Sequence, residues 1–356
     1  MMHLLKNIRI ADLGGPYNGQ QLDMSIAEGY VEALGTNLEP RQGATLIDLG
    51  GCYVSPGFID IGPFLGDPGY EDREDMASLA AAAQRGGYVA VAPLPNTQPL
   101  RHDKSGVHYL LEASRNLPVQ MLPLGAISRN AAGQDITEML DLHSAGAVAF
   151  TDGLVPVAAA GLLMRALNYV KAFKGTIINQ PFDFSLAPGG QIHEGYQSTV
   201  LGLRGITALS ETLMVNRDLE LLAYTESRLL LHLLSCAESL PLLVRAKAGG
   251  QSVFASVSAH HLQFTVDQLA DFNPHFKLLP PLREECDRQA LVDAVVAGSI
   301  DCIVSHHQAH QPEAKNLEFT YADFGSRGLE TCFAQAATAL AGRLDPAGLA
   351  ARFSHG

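Results

Sequence analysis

Imidazoles carry most of the chemistry this sequence can offer. The chain of 356 residues has thirteen histidines, and five of them fall in two short runs, Ala259-His260-His261-Leu262 and Ser305-His306-His307-Gln308-Ala309-His310. A neutral imidazole can ligate a divalent metal or carry a proton near neutral pH, and three or four converging would make a zinc centre. Spacing limits that reading. His306 and His310 are four apart and would share a face only on a helix. His306 and His307 are adjacent on a strand and point to opposite faces. Asp152, in Thr151-Asp152-Gly153, offers a general base or, more simply, a cap for the following turn. Cys236 has no base beside it in sequence, so a buried thiol is the simpler reading than a nucleophile.

These groups need a frame. From residue 56 onward, apolar strand-like runs alternate with helical stretches. The strands are expected at Gly57–Ile61, Gly87–Leu94, Val119–Ile127, Ala147–Gly153, Gly175–Gln180, Arg228–Leu234, Ser252–Ala259 and Asp301–His307. Amphipathic segments with apolar residues at helical spacing separate them. Eight such units predict a (β/α)8 TIM barrel, with functional side chains at the C-terminal strand ends. No Gly-x-Gly-x-x-Gly follows the first strand, which disfavours an open dinucleotide-binding sheet. Residues 1–55 read as short strands and turns forming a small β domain, 56–342 as the barrel and 343–356 as a C-terminal tail.

Composition narrows the function classes. The net charge of −13 disfavours a nucleic-acid surface. There is no apolar run long enough to span a membrane and no secretory leader pattern. The five cysteines are widely spaced, which disfavours disulfides and thiolate zinc sites. A cytoplasmic protein is the expectation.

The strand ends, taken with their flanking loops, have a familiar order. "VSPGFIDIGPFLGDPG", "PLPNTQP", "LHSAGAVAFTDG", "LGLRGI", "VNRDLELLAYTESR", "VSAHHL", "PPLREECDRQALVDAVVAGSIDCIVSHH" and "FGSRGLET" resemble the dihydroorotase branch of the amidohydrolase superfamily, in that family's order and spacing. The resemblance implies an amidohydrolase-type barrel with a small β domain. It also implies interconversion of carbamoyl aspartate and dihydroorotate by metal-activated water, a step in pyrimidine biosynthesis. Yet the family's ligand positions carry other residues here. The first-strand His-x-His aligns with Gly62 and Phe64, the fifth-strand histidine with Gln180, the sixth-strand histidine with Leu233 and the catalytic aspartate with His306. His232, one residue before Leu233, is then expected to turn away from the barrel centre. Asp152 matches an acidic ligand, and Asn96 a substrate-contacting asparagine.

These losses lead to the expectation of a degenerate homologue without metal or catalysis, serving as a structural or regulatory partner. The resemblance offers aspartate carbamoyltransferase as that partner, with homodimerisation as a further association. Asn96, Gln180 and His260 are the expected pocket residues, Asp152 the one catalytic candidate, and no cofactor is expected. Two alternatives stand beside this. One is an active cyclic-amide hydrolase with zinc in a rebuilt site, using Asp152, His306 and His310. The other is a small-molecule binding module.

Overall fold

The computed structural model describes residues 2–354. It divides into two compact units, one holding the chain through Phe58 and from Leu340 onward, the other Ile59–Ala339. In the first, Met2–Ile10 pairs antiparallel with Gln21–Ala27, which pairs antiparallel with Tyr30–Gly35. Glu28 and Gly29 make the hairpin turn, both at positive φ, as a tight two-residue connection requires. Thr45–Asp48 and Tyr53–Val54 run parallel to Met2–Ile10. Ile8, Ile10, Leu22 and Met24 form its core. The segment expected as a tail forms a helix over Pro346–Ser354; its last two residues lie outside the described ones.

The second unit is the TIM barrel. Its first strand, Phe58–Ile61, leads to Tyr88–Ala92 and then to a third strand in two pieces, Gln120–Met121 and Leu124–Gly125. Pro123 has no N–H to give a ladder, so the strand breaks there. The amide of Leu122 still donates to Val91 O and that of Val148 to Pro123 O, bridging the gap. The remaining strands are Ala149–Phe150, Ile177–Asn179, Leu229–Leu231, Val253–Ser258 and Cys302–Val304, paired in parallel and in sequence order. Phe64 N donates to His307 O at 2.7 Å, which carries the closure from the last strand to the first.

Side chains fill the barrel. Ala92, Leu94, Leu124, Ala149, Ile178 and Leu230, drawn from five strands and their ends, form one buried cluster, with Ile61 and Phe254 against it. The helices between strands begin on good caps where the sequence supplies them. Asp75 caps Met76–Arg85 in a reciprocal box with Ser78, and Asp103 caps Lys104–Ala113. Between the fifth strand and its helix Leu209–Thr225 the chain makes an excursion, pairing Ile192–His193 with Gly205–Ile206 around the short helix Tyr196–Leu201. Among the described residues no helix is long and apolar enough to cross a membrane.

The interior cluster sets a stability expectation. Truncating Leu230 to Ala should leave a cavity and cost about 2–5 kcal/mol, read as a lower urea midpoint at unchanged slope.

Candidate active site

Two buried carboxyls tie strand ends together. Asp60, on the first strand, accepts Ser305 N at 2.8 Å and Ser305 Oγ at 2.5 Å from the end of the last. Burial is the largest influence on it and pushes its carboxyl up to about 6, against the pull of Ser305. Asp152 repeats the arrangement, accepting Ser128 N at 2.8 Å and Ser128 Oγ at 2.6 Å. Burial raises its carboxyl as well. Asp152 therefore bonds across to the neighbouring strand's end instead of capping its own turn.

Four histidines gather at the mouth. Leu230 faces the barrel interior, so His232, two residues on, shares that side. Its Nδ1 shares a proton with Ser256 Oγ at 2.8 Å. A Cβ at Gly62 would lie 2.5 Å from His232 Nε2. His232 thus occupies the space left by the absent side chain at 62, and the expectation that it turns away from the barrel centre is corrected. The strand ends at Leu231, and Leu233, at φ +61°, packs instead beside Cys302 and Val304. His261 Nε2 donates to Pro280 O and Pro281 O at 3.2 and 3.1 Å. His306, at φ +51°, lies with its ring centroid 6.3 Å from that of His261. Neither His306 nitrogen has a well-formed hydrogen bond, and His261 Nδ1 and His260 Nε2 are also unpartnered. The Leu279 carbonyl lies near enough to favour the charged form of His306 slightly, but burial and the other three imidazoles pull it far down. Burial alone lowers His232 to about 4, and burial with a neighbouring histidine lowers His260 to about 4 and His261 to about 3. All four are neutral imidazoles at physiological pH.

The other expected residues are bound into the frame. Asn96 donates from Nδ2 to Asp152 O at 3.0 Å and accepts Leu154 N at 3.1 Å, clamping the turn at Gly153. Gln180 Nε2 donates to Leu279 O at 3.3 Å. Phe64 is buried under the Arg73 guanidinium, 4.1 Å from its ring centre. His310 Nε2 donates to Phe324 O, 2.7 Å away, so Asp152, His306 and His310 are not brought together as a metal set. Cys236 is buried beside Ser235 and Glu211, and burial pushes its thiol up.

Several polar groups escaped the sequence reading. Glu211 accepts from Ser235, Cys236 N and Ser239 Oγ, while Arg283 joins Ser235 Oγ to His193 Nδ1. Glu74 pairs with His307 at 3.0 Å, both buried. Asp60 was the one legible member, an acid set in the apolar run Phe58-Ile59-Asp60-Ile61.

The fold has solved counterparts. It superposes on the L-hydantoinase (dihydropyrimidinase) of Arthrobacter aurescens with TM-score 0.85 at 22% identity, covering 99% of this chain and 81% of that one. The dihydropyrimidinase of Brevibacillus agri gives TM-score 0.81 at 17% identity, covering 99% and 80%. These likenesses show the fold: a barrel accompanied by a small sheet. A family profile described as "Dihydro-orotase-like" matches residues 51–239. A dihydroorotase of Pelotomaculum thermopropionicum is 38% identical over 88% of this chain and 73% of its own length. One of Syntrophotalea carbinolica is 36% identical over 93% and 78%. The chain belongs to the dihydroorotase-like family.

Two expectations are corrected by these relatives. Proteins named dihydroorotase match most of the chain, which overturns the reading of a non-catalytic partner. The same membership overturns the expectation of no cofactor, because the dihydroorotase resemblance brings zinc with it. The donor set is a separate matter. Gly62 and Phe64 have no ligand atom, Asp152 spends both oxygens on Ser128, and the unpartnered imidazole nitrogens do not converge. Among the described residues no three of His, Cys, Asp or Glu stand so as to hold a metal ion. The residues at the family's ligand positions do not fit zinc in this arrangement, and no chemical step is routed through it here.

Neutral buried imidazoles make stability pH-dependent. Unfolded histidine titrates near 6.5, whereas His193, His232 and His260 are lowered to about 4 and His261 to about 3. The unfolded chain therefore takes up protons first, and stability falls as pH drops from about 6.5 towards 4. Asp60, raised to about 6, and Asp152 and Asp218, also raised by burial, oppose this over part of that window, but the lowered imidazoles outnumber them. Melting temperatures from pH 7.5 to 4.5 should be level above 6.5 and fall steeply below it.

Proposed function

We propose that the chain is a cyclic-amide hydrolase of dihydroorotase type, interconverting dihydroorotate and carbamoyl aspartate at the strand-end histidine cluster. The observation that carries this reading is the run of dihydroorotases at 35–38% identity, which align with 80–96% of the chain. The cluster adds a chemical reason. Neutral imidazoles with unpartnered nitrogens can donate to a carbonyl oxygen or accept from a ring N–H. His306 holds the position where the family resemblance places a catalytic aspartate, and it is free to exchange a proton with the amide. His232, fixed by Ser256, and His261, fixed by two carbonyls, orient the floor beneath it.

The test is dihydroorotate ring opening, and the reverse closure of carbamoyl aspartate, with purified chain in the presence and absence of added zinc. Turnover is expected, with His306→Ala lowering kcat/KM by about 100-fold or more, circular dichroism checking that the variant is folded. No turnover in either direction under both conditions overturns the reading.

A further inference from the structure

The segment after the last barrel strand builds a second concave site, separate from the histidine cluster. A cavity of about 240 Å³ is lined by Lys315, Arg327, His275, His310, Gln308 and Ser326 among others, and no acidic side chain lines it. That is unusual on a chain whose formal net charge is −13.

Lys315 is the central feature. It is buried, at 7% exposure, and its ammonium donates only to backbone carbonyls, Pro274 O at 2.9 Å and Asp323 O at 2.6 Å. An ammonium has three protons to donate, so one remains. No carboxylate stands at ion-pair distance from it among the described residues. The Asp323 carboxylate acts on it from beyond ion-pair distance and is itself largely solvated; a bound anion would offset the remaining cost of burying the cation. Arg327, exposed, also lines the cavity and makes no hydrogen bond or ion pair among the described residues. Its planar fork suits an oxyanion.

The walls are held by the backbone. Gln308 N donates to Ser326 O at 2.8 Å, tying the strand end to the loop that carries Arg327. Lys277, a second buried cation, fastens the neighbouring loop by donating to Phe319 O, Thr320 O and Ala322 O. Two acids lie nearby. The Asp323 carboxylate is 3.6 Å from His310 Nδ1 with its side chain 63% exposed, and Asp72 accepts from Gln311 Nε2. Neither lines the cavity.

We propose that this pocket binds a small oxyanion through Lys315 and Arg327. The ligand is free phosphate or the carboxylate of a small organic acid; both present the same charged oxygens. The site does not depend on the hydrolase reading, because none of its lining residues belongs to the histidine cluster.

The test is a thermal-shift titration of the purified chain with inorganic phosphate and, separately, with acetate, each against sodium chloride at matched ionic strength. A saturable rise in melting temperature is expected with at least one of them. The anion that produces it identifies the source. Arg327→Ala should weaken apparent affinity about tenfold or more. That side chain is exposed, so the variant should fold normally, which circular dichroism checks. Lys315→Met should abolish the shift if it folds. No saturable shift with either anion, or a shift undiminished in Arg327→Ala, overturns the proposal.

Discussion

The barrel is closed by a carboxyl that water cannot reach. Asp60 takes both the amide and the hydroxyl of Ser305, and so joins the first strand's edge to the last. Ordinary ladder bonds cover little of this seam, because the strands on either side are only three or four residues long. Asp152 and Ser128 do the same between the third and fourth strand ends. A buried, doubly hydrogen-bonded carboxyl is expensive to disturb once its partners are in place. The acids at this mouth are therefore committed to architecture, and the imidazoles are left as the groups able to meet a substrate.

Much of the frame was legible beforehand. Alternating apolar runs and amphipathic segments gave the barrel. The break at Pro123 was not resolved, since Val119–Ile127 reads as one apolar run. The excursion over Ile192–Ile206 was also missed, because two-residue pairings leave no periodic trace. The site was harder to read. His232 was placed on the wrong side because alternation was counted from Leu233, the aligned position, and not from Leu230, the residue that packs in the interior. The partners of Asn96 and Gln180 are backbone carbonyls and amides distant in sequence, which residue types alone cannot reveal.

Family membership and local chemistry speak to different levels of the molecule. Sequence identity to dihydroorotases extends along most of the chain, shows the family and supports the reaction class proposed for it. The mouth is defined by its own residues. Gly62, Phe64 and Leu233 remove lone pairs, while His232, His260, His261 and His306 concentrate neutral ones in a space shielded from solvent. Whatever enters there meets hydrogen-bonding nitrogens in a low-dielectric setting, where each such contact is stronger than in water.

The close fit of His232 against Gly62 also constrains how this mouth can change over time. The backbone at 62 sits at φ +86°, a conformation that side-chain-bearing residues rarely adopt, and the room a Cβ needs is already taken by an imidazole. The two positions are epistatic. A side chain could enter at 62 only after His232 had shrunk or moved, so substitution at either position is tied to the other.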